Sequence, residues 1–551
     1  MKKKQFLAAG LCAAMALSLL AGCGTAAEAG GAATGEASGE AGSAGSKKIT
    51  YSVSADPETL DPGQNNYARS SIFLQNLFHG LYKFAEDGQV VPSLAEGYDV
   101  DETGLHYTFH LRKDLKWSDG TPLTAHDFEY SWKRTLSPEL ASKGADYLYY
   151  VKNGEAYNQG EATADDVGVK ATDDTTLEVE LENPTAYFVD LTTSSTYFPV
   201  KQETVESPDT WTKSADTYVC NGPFMLKEIK PQDKYVMVKN PNYVEAGTVK
   251  LDEVDFVVIE TSESVLAAYT NNELDVDDNL STQALTQYKD SGELKTSDRI
   301  GTYYLDINNE HEPFNDPRVR KALAMTIDRN LLINNVIQCD YKPAYGFVPY
   351  GIPDITDTTK SYRDVTGDLF SEDTEAAKQL LSDAGYPGGE GFPAFTYITF
   401  NNALDTDIAQ ALQSMWKEKL GIQMEIVTYE SKVYWDEIEK GNFDVARDGW
   451  TGDYPDPMTN LDLFMLNTTG DDCRWTGEKA NQYDALLQAN LASVDQTERM
   501  SNFQEAEKIL MDDMPIIPVY YMTTQYLVKP NITGVTKNII GHTLFEYADV
   551  T

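Results

Sequence analysis

The stretch TDIAQALQSMWKEKLGIQMEIV, Thr406 to Val427, carries the grammar on which the fold class turns. Thr406 to Leu420 reads as a helix and Gly421 as its stop, because glycine accepts the left-handed backbone that ends many helices. Ile422 to Val427 then alternates apolar and polar side chains, the two-residue period of a half-buried strand. The same alternation of element types runs outward in both directions. Asp373 can cap a helix over Thr374 to Ala384, with Gly385 as the stop. Asn315-Asp316-Pro317 offers a cap and a first-turn proline for a helix through roughly Val336. Gln496 to Met511 reads as a long amphipathic helix. Strands are expected at Leu105 to Leu111, Thr176 to Leu181, Tyr235 to Val238 and Val254 to Ile259. No internal repeat is evident. Two regions rich in both element types, roughly 79–202 and 301–520, stand out, and the segments around them read as a further sheet domain assembled from separated pieces. The expected class is α/β.

The first 22 residues read as an export signal: Lys2, Lys3 and Lys4 precede an apolar run from Phe6 to Leu20, and Leu20-Ala21-Gly22-Cys23 follows. A cysteine just after the cut suits lipidation, so Cys23 is the expected lipid site. The run is short for a bilayer span, which makes the mature chain anchored to a membrane and not threaded through it. Residues 23–46, Cys23 apart, are almost wholly Gly, Ala, Ser, Thr and Glu, a composition that cannot bury a core and serves as a flexible tether. The body beginning near Lys47 has room for two or three domains.

Net charge is −43, or about −46 without the three signal lysines, and argues against nucleic-acid binding, which needs basic patches. The 33 tyrosines suit wet clefts, each having an apolar ring with a hydrogen-bonding tip. Of five cysteines, Cys12 leaves with the signal; Cys220, Cys339 and Cys473 allow at most one disulfide and have no metal-ligand spacing. There is no Walker loop, nucleophile elbow, zinc-protease helix or paired CxxC. His106 and His110 fall on an alternating strand, where four residues span about 13 Å, too far to grip one ion. The acidic pairs Asp165-Asp166, Asp173-Asp174 and Asp277-Asp278 lack the alternating ligands and central glycine of a calcium loop. No catalytic residue, cofactor or metal ligand is assigned.

Three stretches are more specific: Glu58-Thr59-Leu60-Asp61-Pro62, then Trp117 to Phe128 (WSDGTPLTAHDF), then Asn442 to Tyr454 (NFDVARDGWTGDY). Shorter pieces support them: Cys220 to Phe224, Gly301 to Tyr304 and Arg318 to Leu323. In this order, and across nearly the whole mature chain, they resemble the oligopeptide-binding lipoproteins of bacterial ABC importers, the family 5 extracellular solute-binding proteins. The resemblance implies a two-lobed, periplasmic-binding-protein-like fold of the large three-domain class. Residues 47–78, 203–300 and 521–551 would form a discontinuous sheet lobe, 79–202 an inserted domain and 301–520 the opposing lobe. Hinges would lie near 300 and 520. It further implies a monomer on the outer side of the cytoplasmic membrane that hands short peptides to an ABC permease.

In the family pattern, a strand after Leu-Asp-Pro flanks the ligand, here Asn66, Tyr67 and Ala68 acting through backbone, as in strand addition. Gly449 to Asp453 would lie opposite, with Asp453 meeting the peptide's α-ammonium. From the residues alone, Asp453 can equally shape a Gly-Asp turn, and Gly452 can serve close backbone approach or a simple turn. Trp450 is a pocket wall or core, and Thr451 lies beside it. Arg447 is a basic position near the ligand's far end or the partner of Asp448 or Asp444. Tyr304, Tyr520 and Tyr521 are expected cleft walls. The chain departs from the best-known pattern where basic side chains face the ligand carboxylate: Ile337, Asp405 and Ile438 stand there. Gly144 replaces a tyrosine, and Gly301 and Thr451 replace a cysteine pair, so that disulfide is expected to be absent. Other readings are a receptor for a glycan or metal chelate, a surface peptide sensor or adhesin, and a secreted peptidase, for which no nucleophile is visible.

Overall fold

A computed structural model describes residues 46–206, 210–466 and 472–551. The expected signal at 1–22, the tether up to Gly45 and Cys23 lie outside them. Among the described residues, fifteen strands build the two larger sheets: β1 Lys48–Val53, β2 Ala95–Val100, β3 His106–Leu111, β4 Val169–Asp173, β5 Thr176–Glu180, β6 Phe224–Lys230, β7 Lys234–Lys239, β8 Glu253–Val258, β9 Val276–Asp277, β10 Leu294–Ile307, β11 Lys342–Pro343, β12 Phe395–Phe400, β13 Met424–Tyr429, β14 Val445–Thr451 and β15 Ile516–Val528. Eleven of them make one mixed sheet in the order β13-β12-β14-β10-β15-β9-β1-β8-β7-β6, with β11 added on β15. The remaining four form a separate antiparallel sheet, β2-β3-β5-β4, within 79–202. Helices packed on a mixed sheet make the class α/β.

Strands β10 and β15 are the longest and lie side by side, antiparallel, with the register shifting between Asp298 and Thr302. They join the β12-β14 end of the sheet to the β9-β1-β8 end. Alternation along β10 sends Tyr303, Leu305 and Ile307 into one core, shared with Leu412, Met415 and Trp416 of the helix Ala403–Leu420. Tyr304 points into the other, beside Phe347 and Phe464. Trp416 is fully buried and its indole donates to the Leu323 carbonyl at 3.1 Å, so apolar burial and a satisfied donor coincide.

Local signals hold where the chain decides by itself. Gly421 caps its helix at φ 74°, and the Asp373 carboxylate accepts from the Ala376 amide at 2.9 Å. The expected helix from Pro317 to Val336 breaks. It ends at Met325 because the Thr326 hydroxyl satisfies the Ala322 and Leu323 carbonyls at 3.0 and 2.9 Å. Asp328 then caps a new turn that passes into a π-helix, Leu332–Ile337. His106 and His110 are exposed on β3 and pair with separate carboxylates, Asp101 and Asp99, each at 2.8 Å. Among the described residues no disulfide joins Cys220, Cys339 and Cys473, and no helix is long and apolar enough to cross a membrane.

Candidate ligand-binding site

The end of β14 is pinned from both sides. The Gly452 amide donates to the Ile300 carbonyl at 2.7 Å, and the Trp450 indole donates to the Thr459 carbonyl at 2.6 Å. The Asp453 amide donates to the Thr459 hydroxyl at 2.9 Å. Gly452 is required by close approach: a Cβ there would meet Thr459 Cγ2 at 2.6 Å and Ile300 Cδ1 at 3.1 Å. This backbone aims Asp453 into a cavity of about 620 Å³ whose walls include Ala68, Arg69, Asp278, Arg299, Thr451, Gly452 and His542. Solvent reaches the Asp453 carboxylate although protein surrounds it on most sides, and burial raises its pKa above the ordinary carboxylate range. Among the described residues its one side-chain partner is neutral, the Tyr147 hydroxyl donating at 3.3 Å from the 79–202 segment. Tyr187 of that segment stacks on Tyr454 at 4.4 Å.

The structure therefore brings Ala68, Thr451, Gly452 and Asp453 to one cavity, with Gly449 and Trp450 on the strand leading in. It separates the others. Asn66 and Tyr67 are not on a strand: an extended link runs from the turn Pro62–Gln64 to a helix that already begins at Ala68. Asn66 donates to the Lys143 carbonyl at 3.3 Å, and Lys143 donates to the Tyr67 hydroxyl at 2.8 Å. Arg447 is folded between the Tyr303 and Phe400 rings and pairs with Asp405 at 3.3 Å, not with Asp448 or Asp444.

Tyr304, Tyr520 and Tyr521 are corrected from cleft walls to core residues, each 5% exposed or less. They sit mid-strand in a sheet covered on both faces. Tyr304 donates to Asp448 at 3.2 Å, Tyr521 to the Gly346 carbonyl at 3.0 Å, and Tyr520 stacks between Tyr303 and Tyr341.

Ile337 and Ile438 are buried core residues, and Gly301 and Thr451 face each other in register. A Cβ at Gly144 would lie 2.5 Å from the Asn65 carbonyl, so no side chain fits there; Tyr147, three residues on, supplies the phenol. A dense tyrosine run, Tyr147-Leu148-Tyr149-Tyr150, was the only sequence signal for it. Asp306, Asp448 and Asp472 bring carboxylate oxygens within 4.8 Å of one another; Asp448 already accepts from Tyr304 and the Gly449 amide, and no ligand role is assigned to the three.

A second acidic group gathers beside the site. Burial, with Asp453 and Asp456 nearby, pushes Asp462 up to about 7. Burial and Asp456 push Asp190 up to about 8, against the opposing charge of Arg499. A carboxyl with a raised folded-state pKa holds its proton in the native state, so its stabilising contribution is lost as pH rises from about 4 to 8. Asp190→Asn is therefore expected to match the wild-type Tm near pH 4. It should exceed it increasingly up to pH 8, and by a constant margin above that, in scanning calorimetry. A gap independent of pH would exclude Asp190 as the source.

The sequence profile of the bacterial extracellular solute-binding proteins, family 5, matches residues 89–472. The chain belongs to this family. Family 5 proteins are extracellular solute-binding proteins. The Bacillus subtilis oligopeptide-binding protein OppA is 33% identical over 520 residues, 93% of this chain and 94% of the relative. Among family 5 structures, the unliganded open form of the murein tripeptide binding protein MppA superposes with TM-score 0.82 at 33% identity, covering 92% of this chain and 98% of that one. The Haemophilus influenzae OppA complex with RPPGFSPFR scores 0.68 at 29% identity, covering 92% and 99%. This chain is thus nearer to the open family 5 form than to the peptide complex.

Proposed function

We propose that this chain is the substrate-binding subunit of an ABC importer and captures short peptides by their amino ends. The observation that carries the reading is Asp453: a carboxylate aimed into a cavity by a rigid strand end, with a neutral hydroxyl as its one side-chain partner among the described residues. An enclosed ammonium needs such an anion, because an unpaired buried charge is costly. The named peptide binders among its relatives support the ligand class.

In this reading 47–78, 203–300 and 521–551 form one lobe, 79–202 packs beside it, and 301–520 closes over the ligand as β10 and β15 flex. Cys23 carries the lipid that holds the monomer near its permease. Mass spectrometry of ligands released by denaturing the purified, signal-less protein tests the proposal. A ladder of short peptides with free amino ends is expected; a single non-peptide solute would overturn the peptide assignment and the role of Asp453.

A further inference from the structure

The charges lining the 620 Å³ cavity are mostly neutralised from within. Arg69 pairs with Glu58 at 2.7 Å, and Lys537 pairs with Asp278. His542 is pushed down to about 4 by burial and the nearby cations, so it is uncharged at neutral pH. Besides Asp453, one charge is left over. The Arg299 Nε is buried without a hydrogen-bond partner, and among the described residues no carboxylate forms an ion pair with it. Its neighbour Asp298 is taken by Lys342 at 2.6 Å. An arginine stays protonated in such a place, so the cavity holds one uncompensated cation and one anion with only a neutral partner.

The two line the same cavity from adjoining strands. Gly301 pairs with Thr451, and Gly452 donates to the Ile300 carbonyl. Arg299 and Asp453 follow that last contact on their two strands; neither charge shifts the other's pKa, so they stand apart across the cavity and not as an ion pair. Successive residues of a ligand lie about 3.8 Å apart at Cα. A ligand whose ammonium meets Asp453 reaches across the cavity to Arg299 with a carboxylate one or two residues along.

We propose that Arg299 binds a carboxylate carried within the first one or two residues of the ligand, so that the cavity selects zwitterions of short span. The inference rests on the ammonium role of Asp453 given above. The planar guanidinium fork suits a carboxylate in two-point contact. That carboxylate has two sources: the terminus of a dipeptide, or an acidic side chain at position one or two of a longer peptide.

Calorimetry on the mature chain distinguishes them with two peptide pairs, Ala-Ala against Ala-Ala-amide and Ala-Glu-Ala-amide against Ala-Gln-Ala-amide. Wild type is expected to prefer the carboxylate-bearing member of at least one pair by about tenfold or more, a hydrogen-bonded charge pair being worth more than a neutral one. Discrimination in the first pair identifies the terminus, in the second the side chain. Arg299→Gln should abolish that preference without lowering Tm, since the guanidinium holds no other group in place. Arg299→Lys should keep part of it, and serves if the glutamine variant does not fold. Binding without discrimination in wild type, or a preference that survives in Arg299→Gln, overturns the role of Arg299 alone. Failure of all four peptides to bind wild type overturns the peptide reading and this assignment with it.

Discussion

Replacing Asp453 with alanine weakens peptide binding by about 3–5 kcal/mol, the cost of leaving one member of an enclosed charge pair without its partner. In dissociation constant that is roughly two to three and a half orders of magnitude. The backbone around it is held by Thr459, Ile300 and the Trp450 indole, none of which uses the Asp453 carboxylate, so the loss falls on ligand affinity and not on folding. Two controls sharpen the expectation. Acetylating the peptide's amino end should cost wild type a similar amount and cost Asp453→Ala little. Burial already raises the Asp453 pKa, whereas a bound ammonium favours the ionised form. Binding therefore releases a proton, and wild-type affinity falls as pH drops through the carboxyl's range, a slope the alanine variant lacks. Titration calorimetry reads all three, and unchanged affinity in Asp453→Ala would sink the assignment.

Arg363→Ala destabilises the fold by about 3–5 kcal/mol, the loss associated with breaking a buried ion pair. Arg363 and Glu507 are both 1% exposed or less and bonded to each other. The same Glu507 oxygen accepts from the Phe347 and Val348 amides at 2.7 and 2.8 Å. Arg363 also donates to the Val348 and Gly367 carbonyls at 2.9 and 2.7 Å. Truncating the arginine strands a carboxylate and two carbonyls in the interior. Glu507→Gln alone keeps an oxygen for the two amides but faces the arginine with a neutral group. Arg363→Met with Glu507→Gln removes both charges and should recover part of the loss, since replacing a buried pair as a unit is far less costly than halving it. Urea unfolding measures each. The effect reaches the crossing strands, because the clamped segment accepts from Thr302 at 2.7 Å and from Tyr521 at 3.0 Å.

Short-range features were legible before the structure because their causes are local. The stop at Gly421 needs only a residue that accepts positive φ, and the cap at Asp373 only a carboxylate three residues before an amide. The break after Met325 was hidden, since a threonine at a helix end and one within it look alike until the hydroxyl chooses its carbonyls. The site divides the same way. Asp453 and Gly452 belong to one contiguous motif and were readable as a unit. Tyr147 meets Asp453 across 306 positions, and Arg299 acquires its interest only from the carboxylates that are not beside it, which no spacing records. Tyr304, Tyr520 and Tyr521 were misplaced because alternation shows which side chains share a face, but not whether another layer covers that face.

The order of strands in the large sheet also sets an order in time. β1, the earliest segment, lies between β9 and β8 and pairs with both in parallel, Tyr51 facing Val276 and Phe256. Those neighbours are synthesised some 200 residues later, and β15, which seals β9 and β10 into one sheet, arrives last. Contacts this remote make assembly slow, because the loop-closure entropy must be met before pairing can return it. The chain thus stays unfinished until nearly all of it is available. A fragment ending before Ile516 is left with two open sheet edges, a substrate for aggregation or proteolysis and not a smaller receptor.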